Sequence, residues 1–186
     1  MKLEYKSRSA VKKSDANKLR RDGQIPAIIY NRGAEAETIS VSASALRSVM
    51  RSVQQGRLST AVFTLVDEKG NEKKAILKEI QYNVTNYDVL HLDFEELKKD
   101  LPINVKVPIE CTGMNDCVGI KLGGVLRQVI RYLKVSCLPE KIPTCFFLDV
   151  KSLGIKQYKR LSDLEIPEGI RPIANMKEVA AVIVKR

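Results

Sequence analysis

Leu19-Arg20-Arg21-Asp22-Gly23-Gln24-Ile25-Pro26-Ala27-Ile28-Ile29-Tyr30-Asn31 passes from the end of a charged helix into an apolar strand. Upstream, Ser14 or Asp15 can cap a short helix that turns Ala16 and Leu19 inward and Lys18, Arg20 and Arg21 outward. Gly23 suits the left-handed position that ends it. Downstream, Pro26 has no N–H for a helix interior and β-branched residues follow, so 25–30 is expected as a strand, with Asn31-Arg32-Gly33 as its turn.

Further along, apolar residues at 41, 45, 46, 49, 50 and 53 keep a helical period, with Ser42 or Ser44 as cap and Gly56 beyond the end. Residues 58–67 and 72–82 form an expected hairpin around 67–71, with Ile76, Lys78, Ile80 and Tyr82 on one face and Ala75, Leu77 and Glu79 on the other. A strand over 89–94 carries His91, the chain's single histidine. The polar run 95–102 reads as a connection, which places one domain over 1–97 and a second over 98–186. In that second domain, Val105, Val107, Ile109 and Cys111 alternate, and Pro108 on the opposite parity suits an edge strand or bulge. Further strands are expected over 125–137, 145–150 and 179–184. The fold class expected is therefore mainly β with a few helices.

Charge narrows the function. Thirty-two Lys and Arg against 22 Asp and Glu give +10, a field that attracts polyanions. The first 21 residues hold Lys2, Lys6, Arg8, Lys12, Lys13, Lys18, Arg20 and Arg21 against only Glu4 and Asp15. Such a start is often a solvated tail, but the helix and glycine stop just described interrupt it. No apolar run approaches the roughly 18 to 20 residues of a spanning helix, and MKLEYKSRSAVKKS lacks a signal peptide's apolar stretch, so neither a membrane nor a secreted protein is expected.

Catalytic and metal chemistry find little support. Cys111, Cys117, Cys137 and Cys145 do not form the paired Cys-x-x-Cys of a zinc site, and one histidine excludes multi-histidine sites. The glycine-rich GIKLGG at 119–124 lacks the helix start and downstream acid of a dinucleotide cradle and is expected as a tight turn. No cofactor and no metal is expected. His91 and Asp93, alternate residues of one strand, share a face and are the remaining chemical pair. They are either an unpartnered surface pair or, toward RNA, an imidazole that stacks or donates and a carboxylate that accepts from base N–H groups while repelling phosphate.

The segment 19–31, taken with Val89-Leu90-His91-Leu92-Asp93-Phe94, strongly resembles the bacterial large-subunit ribosomal protein twenty-five family, also called general stress protein CTC. Gly119-Ile120-Lys121-Leu122-Gly123-Gly124-Val125-Leu126, Val135-Ser136-Cys137-Leu138-Pro139-Glu140-Lys141-Ile142-Pro143 and Asp163-Leu164-Glu165-Ile166-Pro167-Glu168-Gly169 are similar to its C-terminal signatures. The resemblance implies an N-terminal antiparallel β-barrel with flanking helices that binds 5S ribosomal RNA, followed by a β-rich C-terminal domain. It places the RNA-facing positions on Arg8, Lys13, Lys18, Arg20, Tyr30, Gln81, His91 and Asp93. Departures are Lys12-Lys13 where the family often has Gly-Lys, Asn31 in place of a glycine, and Ile155-Lys156-Gln157 where a Gly-Asp pair is expected.

The expected function is thus a non-enzymatic, cytoplasmic, ribosome-associated protein of the large subunit, with 5S ribosomal RNA as partner and neighbouring ribosomal proteins as partners of the C-terminal domain. The alternatives are a stress-induced protein-interaction module with an incidental basic start, and a small hydrolase using His91 and Asp93.

Overall fold

Leu3 and Tyr5 alternate with Lys2, Glu4 and Lys6, and this period of two builds a first strand, β1 (Lys2–Ser7), from a segment whose charge suggests a tail. The computed structural model describes residues 1–8, 12–31 and 35–185. The helix α1 (Lys13–Arg21) follows, with Ala16 and Leu19 half-buried. It begins one residue before the expected caps: Lys12 holds the cap position with no side-chain bond. Ser14 turns its hydroxyl to the Asp15 carboxylate at 3.4 Å, and Asp15 lies in the first turn, where the helix dipole favours an acid. Gly23, at φ 72°, lets the chain reverse into β2 (Gln24–Tyr30). Of the turn expected at 31–33, residues 32 and 33 lie outside the described residues.

The helical period expected from residue 41 begins later. Ile39 and Val41 point into the core of a strand, β3 (Glu37–Ser42), and α2 spans Ala43–Ser52 with Ser42 accepting from the Ala45 N–H at 3.5 Å. Val41 suits either element, and pairing with β1 and β2 on both sides decides for the strand. Because the cap bond is long, Ser42→Ala is expected to cost only about 0.5–1 kcal/mol, read as faster amide exchange confined to α2.

β4 (Val62–Val66) and β5 (Glu72–Tyr82) form the expected hairpin, and β6 (Val89–Glu96) lies against β5. The strict alternation expected along β5 does not hold. A bulge between Leu77 and Glu79 makes Lys78 an extra residue, so Ala75 and Leu77 face the core before the bulge and Ile80 packs on it after. Glu95 and Glu96, expected in the connection, belong to β6: Lys78 pairs with Glu95 and Asn31 donates to Glu96 at 3.2 Å.

The six strands close in the order β1-β3-β2-β6-β5-β4, with β1 parallel to β4 and β2 parallel to β6. Closure leaves no strand edge open to another chain. Leu3, Ile29, Ile39, Leu65, Leu92 and Phe94 fill the interior, Phe63 meets Phe94 edge to face at 5.7 Å, and Leu46 of α2 packs into the same core.

This barrel lies in one compact unit, Met1–Leu101, and Pro102–Arg186 form a second. The second unit contains β7 (Ile103–Thr112), a one-turn helix α3 (Val118–Lys121), β8 (Gly124–Gln128), β9 (Tyr132–Cys137), β10 (Phe146–Asp149), β11 (Tyr158–Arg160), β12 (Ile170–Pro172) and β13 (Val179–Lys185). They make a four-stranded sheet, β10-β7-β9-β12, and a three-stranded one, β11-β13-β8. β7 is central rather than an edge. Pro108 is tolerated because pairing with β9 ends there and pairing with β10 begins at Ile109. The single expected strand 125–137 is two strands in different sheets, and GIKLGG ends the helix α3 at Lys121, turns at Leu122 and Gly123 and enters β8 at Gly124. Two of its glycines, Gly119 and Gly124, serve packing: a Cβ on Gly124 would lie 2.7 Å from the Gly119 carbonyl oxygen and 2.6 Å from the Ile183 side chain.

Candidate nucleic-acid interface

Ala27, Ile29, Leu92, Phe94 and Leu77 turn into the barrel, so the alternate residues of β2, β6 and β5 form its outer face. Register then sets the neighbours. Tyr30 lies beside Glu95 and Ile28 beside Asp93 on the parallel side of β6, while Gln81 lies beside His91 and Glu79 beside Asp93 on the antiparallel side. Four of the expected RNA-facing residues, Tyr30, Gln81, His91 and Asp93, are thereby brought onto one sheet face from three separate stretches of chain.

Within that face His91 Nδ1 and Asp93 Oδ1 stand 2.7 Å apart, both side chains partly sheltered. The Asp93 carboxylate orients the imidazole by accepting from its Nδ1–H, and among the described residues its second oxygen makes no other side-chain bond. Next to it the Lys78 ammonium pairs with Glu95 Oε2 at 2.7 Å, the carboxylate side chain only 7% exposed. Burial, then the charges of Glu95, Asp93 and Glu79, push the Tyr30 hydroxyl above its ordinary pKa, so it remains a donor at neutral pH. The face thus offers an amide, an imidazole, a phenol and several carboxylates, which is chemistry for base edges rather than for phosphate.

The cations stand around this face. Residues 22–101 hold ten Lys and Arg against twelve acids, so the attractive field of this unit comes from β1 and α1. Arg20 is anchored beside the face: its Nε donates to the Leu90 carbonyl at 3.1 Å and its Nη1 to Asn17 at 2.9 Å. Lys13 and Lys18 are exposed on α1. Arg8 is not gathered with the rest. It follows β1, which β3 and β2 separate from β6, and its Nε donates to the Ile39 carbonyl at 3.0 Å. Glu79, Lys78 and Glu95 complete the face and were missed from sequence, because only the register across the bulge places them there.

Nucleophilic chemistry gains nothing from the structure. Among the described residues the four cysteines form no disulfide, and burial raises the Cys111 and Cys137 thiols, the opposite of what an attacking thiolate requires. Among the described residues no helix is long and apolar enough to cross a membrane.

Comparison with known proteins covers the whole chain. The model of the Ribosomal L25p family matches residues 3–94, and that of the ribosomal protein TL5 C-terminal domain matches residues 102–186. The chain is 47% identical over 186 residues to the large ribosomal subunit protein bL25 of Chlamydia muridarum, and 48% identical to that of Chlamydia abortus, with 100% of each chain covered in both comparisons.

Proposed function

This chain belongs to the Ribosomal L25p family, with a TL5-type C-terminal domain, and on that premise we propose that it is a structural component of the large ribosomal subunit that docks on 5S ribosomal RNA. The family is one of ribosomal proteins and not of enzymes. The observation that carries the RNA reading is the convergence of Tyr30, Gln81, His91 and Asp93 on one barrel face bordered by the cations of α1. The barrel holds that face rigid. Arg8, Lys13, Lys18 and Arg20 supply phosphate contacts that set register, and Tyr30, Gln81, His91 and Asp93 read an irregular internal segment of the RNA. Association with the ribosome makes the cytoplasm its place of action.

The test is direct. A fragment ending at Leu101 should fold and bind isolated 5S ribosomal RNA nearly as tightly as the full chain, because every proposed contact precedes that point. A folded fragment that binds far more weakly would move the function, or part of it, to the C-terminal unit.

Arg20 has two roles to separate, phosphate contact and the tie to Leu90. Arg20→Ala should weaken binding to many RNAs and reduce the slope of log affinity against log salt by about one unit. Arg20→Lys should restore much of the slope, since the charge returns without the guanidinium tie. An unchanged slope in Arg20→Ala removes the residue from the phosphate set.

A further inference from the structure

At the start of β6, beside His91, the barrel surface gives way to a cleft. A cavity of about 620 Å³ lies between the end of α1, the start of α2 and the connection from β5 to β6. Arg20, Arg21 and Arg47 line it, against two acids, Asp22 and Asp88. Asn83 and Asn86 bring amides and Leu90 an apolar surface.

The walls are held in place before any ligand arrives. The Asn83 N–H donates to the Asp88 carbonyl at 2.8 Å, the Tyr87 N–H to the Asn83 carbonyl at 2.9 Å, and the Asn86 amide to the Asp88 carboxylate at 2.7 Å. The same carboxylate holds Arg47 Nη2 at 3.0 Å, which fixes the guanidinium while its other N–H groups remain available to a ligand. This network keeps Tyr87 at φ 56°, a left-handed conformation that a bulky residue rarely adopts, and leaves the residue 78% exposed. An exposed aromatic held in an unfavourable backbone conformation brings the isolated barrel no packing. Its two chain neighbours, Asn86 and Asp88, line the cleft.

We propose that this cleft receives one nucleotide of the RNA lying on the adjacent face, a proposal that rests on the RNA reading above. Guanidinium, amide and apolar groups correspond to the three chemistries of a nucleotide: phosphate, base edge and base plane. The cavity is far larger than a lone phosphate needs. Leu90 lines it and immediately precedes His91, and Arg20 both lines it and bonds Leu90, so the cleft is continuous with the face. Arg21 and Arg47 hold the phosphate, and Asn83 and Asn86 meet the base.

The experiment uses the full chain and isolated 5S ribosomal RNA, with affinity measured at several salt concentrations and base reactivity probed nucleotide by nucleotide. The Arg21→Gln/Arg47→Gln double variant should bind about tenfold more weakly, with a salt slope lower by about one unit per arginine. One protected nucleotide should become reactive while protection by the His91 face persists. Ser44→Asp is the second variant. It puts a carboxylate into the cleft wall at an exposed first-turn position of α2 where an acid favours the helix, so the fold is kept while phosphate is repelled, and it should reproduce the same local loss. Both variants binding within about twofold of the parent with an unchanged footprint would overturn the cleft alone, as would loss in the double variant with none in Ser44→Asp. Failure of the parent chain to bind the RNA at all would overturn the RNA reading and the cleft with it.

Discussion

Phe94→Ala should destabilise the barrel by about 3–5 kcal/mol, the usual cost of removing a buried ring whose site cannot collapse around the void. Phe94 is fully buried, meets Phe63 at 5.7 Å and sits on β6 between a parallel and an antiparallel neighbour, so the strands around it cannot close in without breaking two ladders. Against a total stability of roughly 5–15 kcal/mol for a domain, that loss leaves little margin. Native-state hydrogen exchange would show it as lost protection in β2, β5 and β6, with β7 and β9 of the other unit unchanged. RNA binding should fall along with barrel stability, because Asp93 and His91 ride on the same strand. A variant that keeps full protection would mean that Phe94 does not organise the platform.

Asp93→Asn should cost the cognate RNA complex on the order of 1–3 kcal/mol. The carboxylate is an unusual feature on a surface meant for a polyanion. It is tied to His91 at 2.7 Å through one oxygen, and its other oxygen is the one available to accept from a base N–H. The amide keeps the shape but exchanges part of the charged acceptor for a donor. Noncognate RNA should bind equally well or slightly more tightly, since a negative charge near phosphates has gone, so the specificity ratio should fall further than the affinity. If Asp93 only orients His91, then Asp93→Asn and His91→Ala should shift both RNAs in parallel. Affinities for both RNAs at one salt concentration decide between the two.

Several elements were legible because their signals are local. Pro26 with the β-branched residues after it, and Gly23 before it, identified β2 and its entry from α1; the structure places all three as expected. The hairpin of β4 and β5 was legible for the same reason. β1 and β3 were not, although Leu3 and Tyr5, and Ile39 and Val41, carry the alternation of a half-buried strand. In β1 the intervening lysines and glutamate read as a tail, and in β3 the alternation runs directly into a helical period that also accommodates Val41. Glu95 was misplaced because a carboxylate after a strand resembles a linker until Lys78 is brought beside it. The division of labour among the expected RNA-facing residues was equally hidden: Arg8 and Arg20 read as equivalent cations, and only the fold anchors Arg20 at Leu90 and leaves Arg8 beyond β3.

By itself the sequence determined the chemical inventory and the local conformations: the basic start, the lone His91, the strand after Pro26, and the family signatures that run from residue 19 to residue 169. Each depends on residue type and on neighbours a few positions away. The tertiary structure alone decided which residues meet. Tyr30 lies beside Glu95, Gln81 beside His91 and Glu79 beside Asp93 only because strands distant in sequence settle into one register, and that register is selected by burying Leu92, Phe94, Ala27 and Leu77 together. A one-residue slip would send His91 and Asp93 into the core. The bulge at Lys78, which returns Ile80 to the core side after Leu77, is set by the pairing of β5 with β6 rather than by β5 alone.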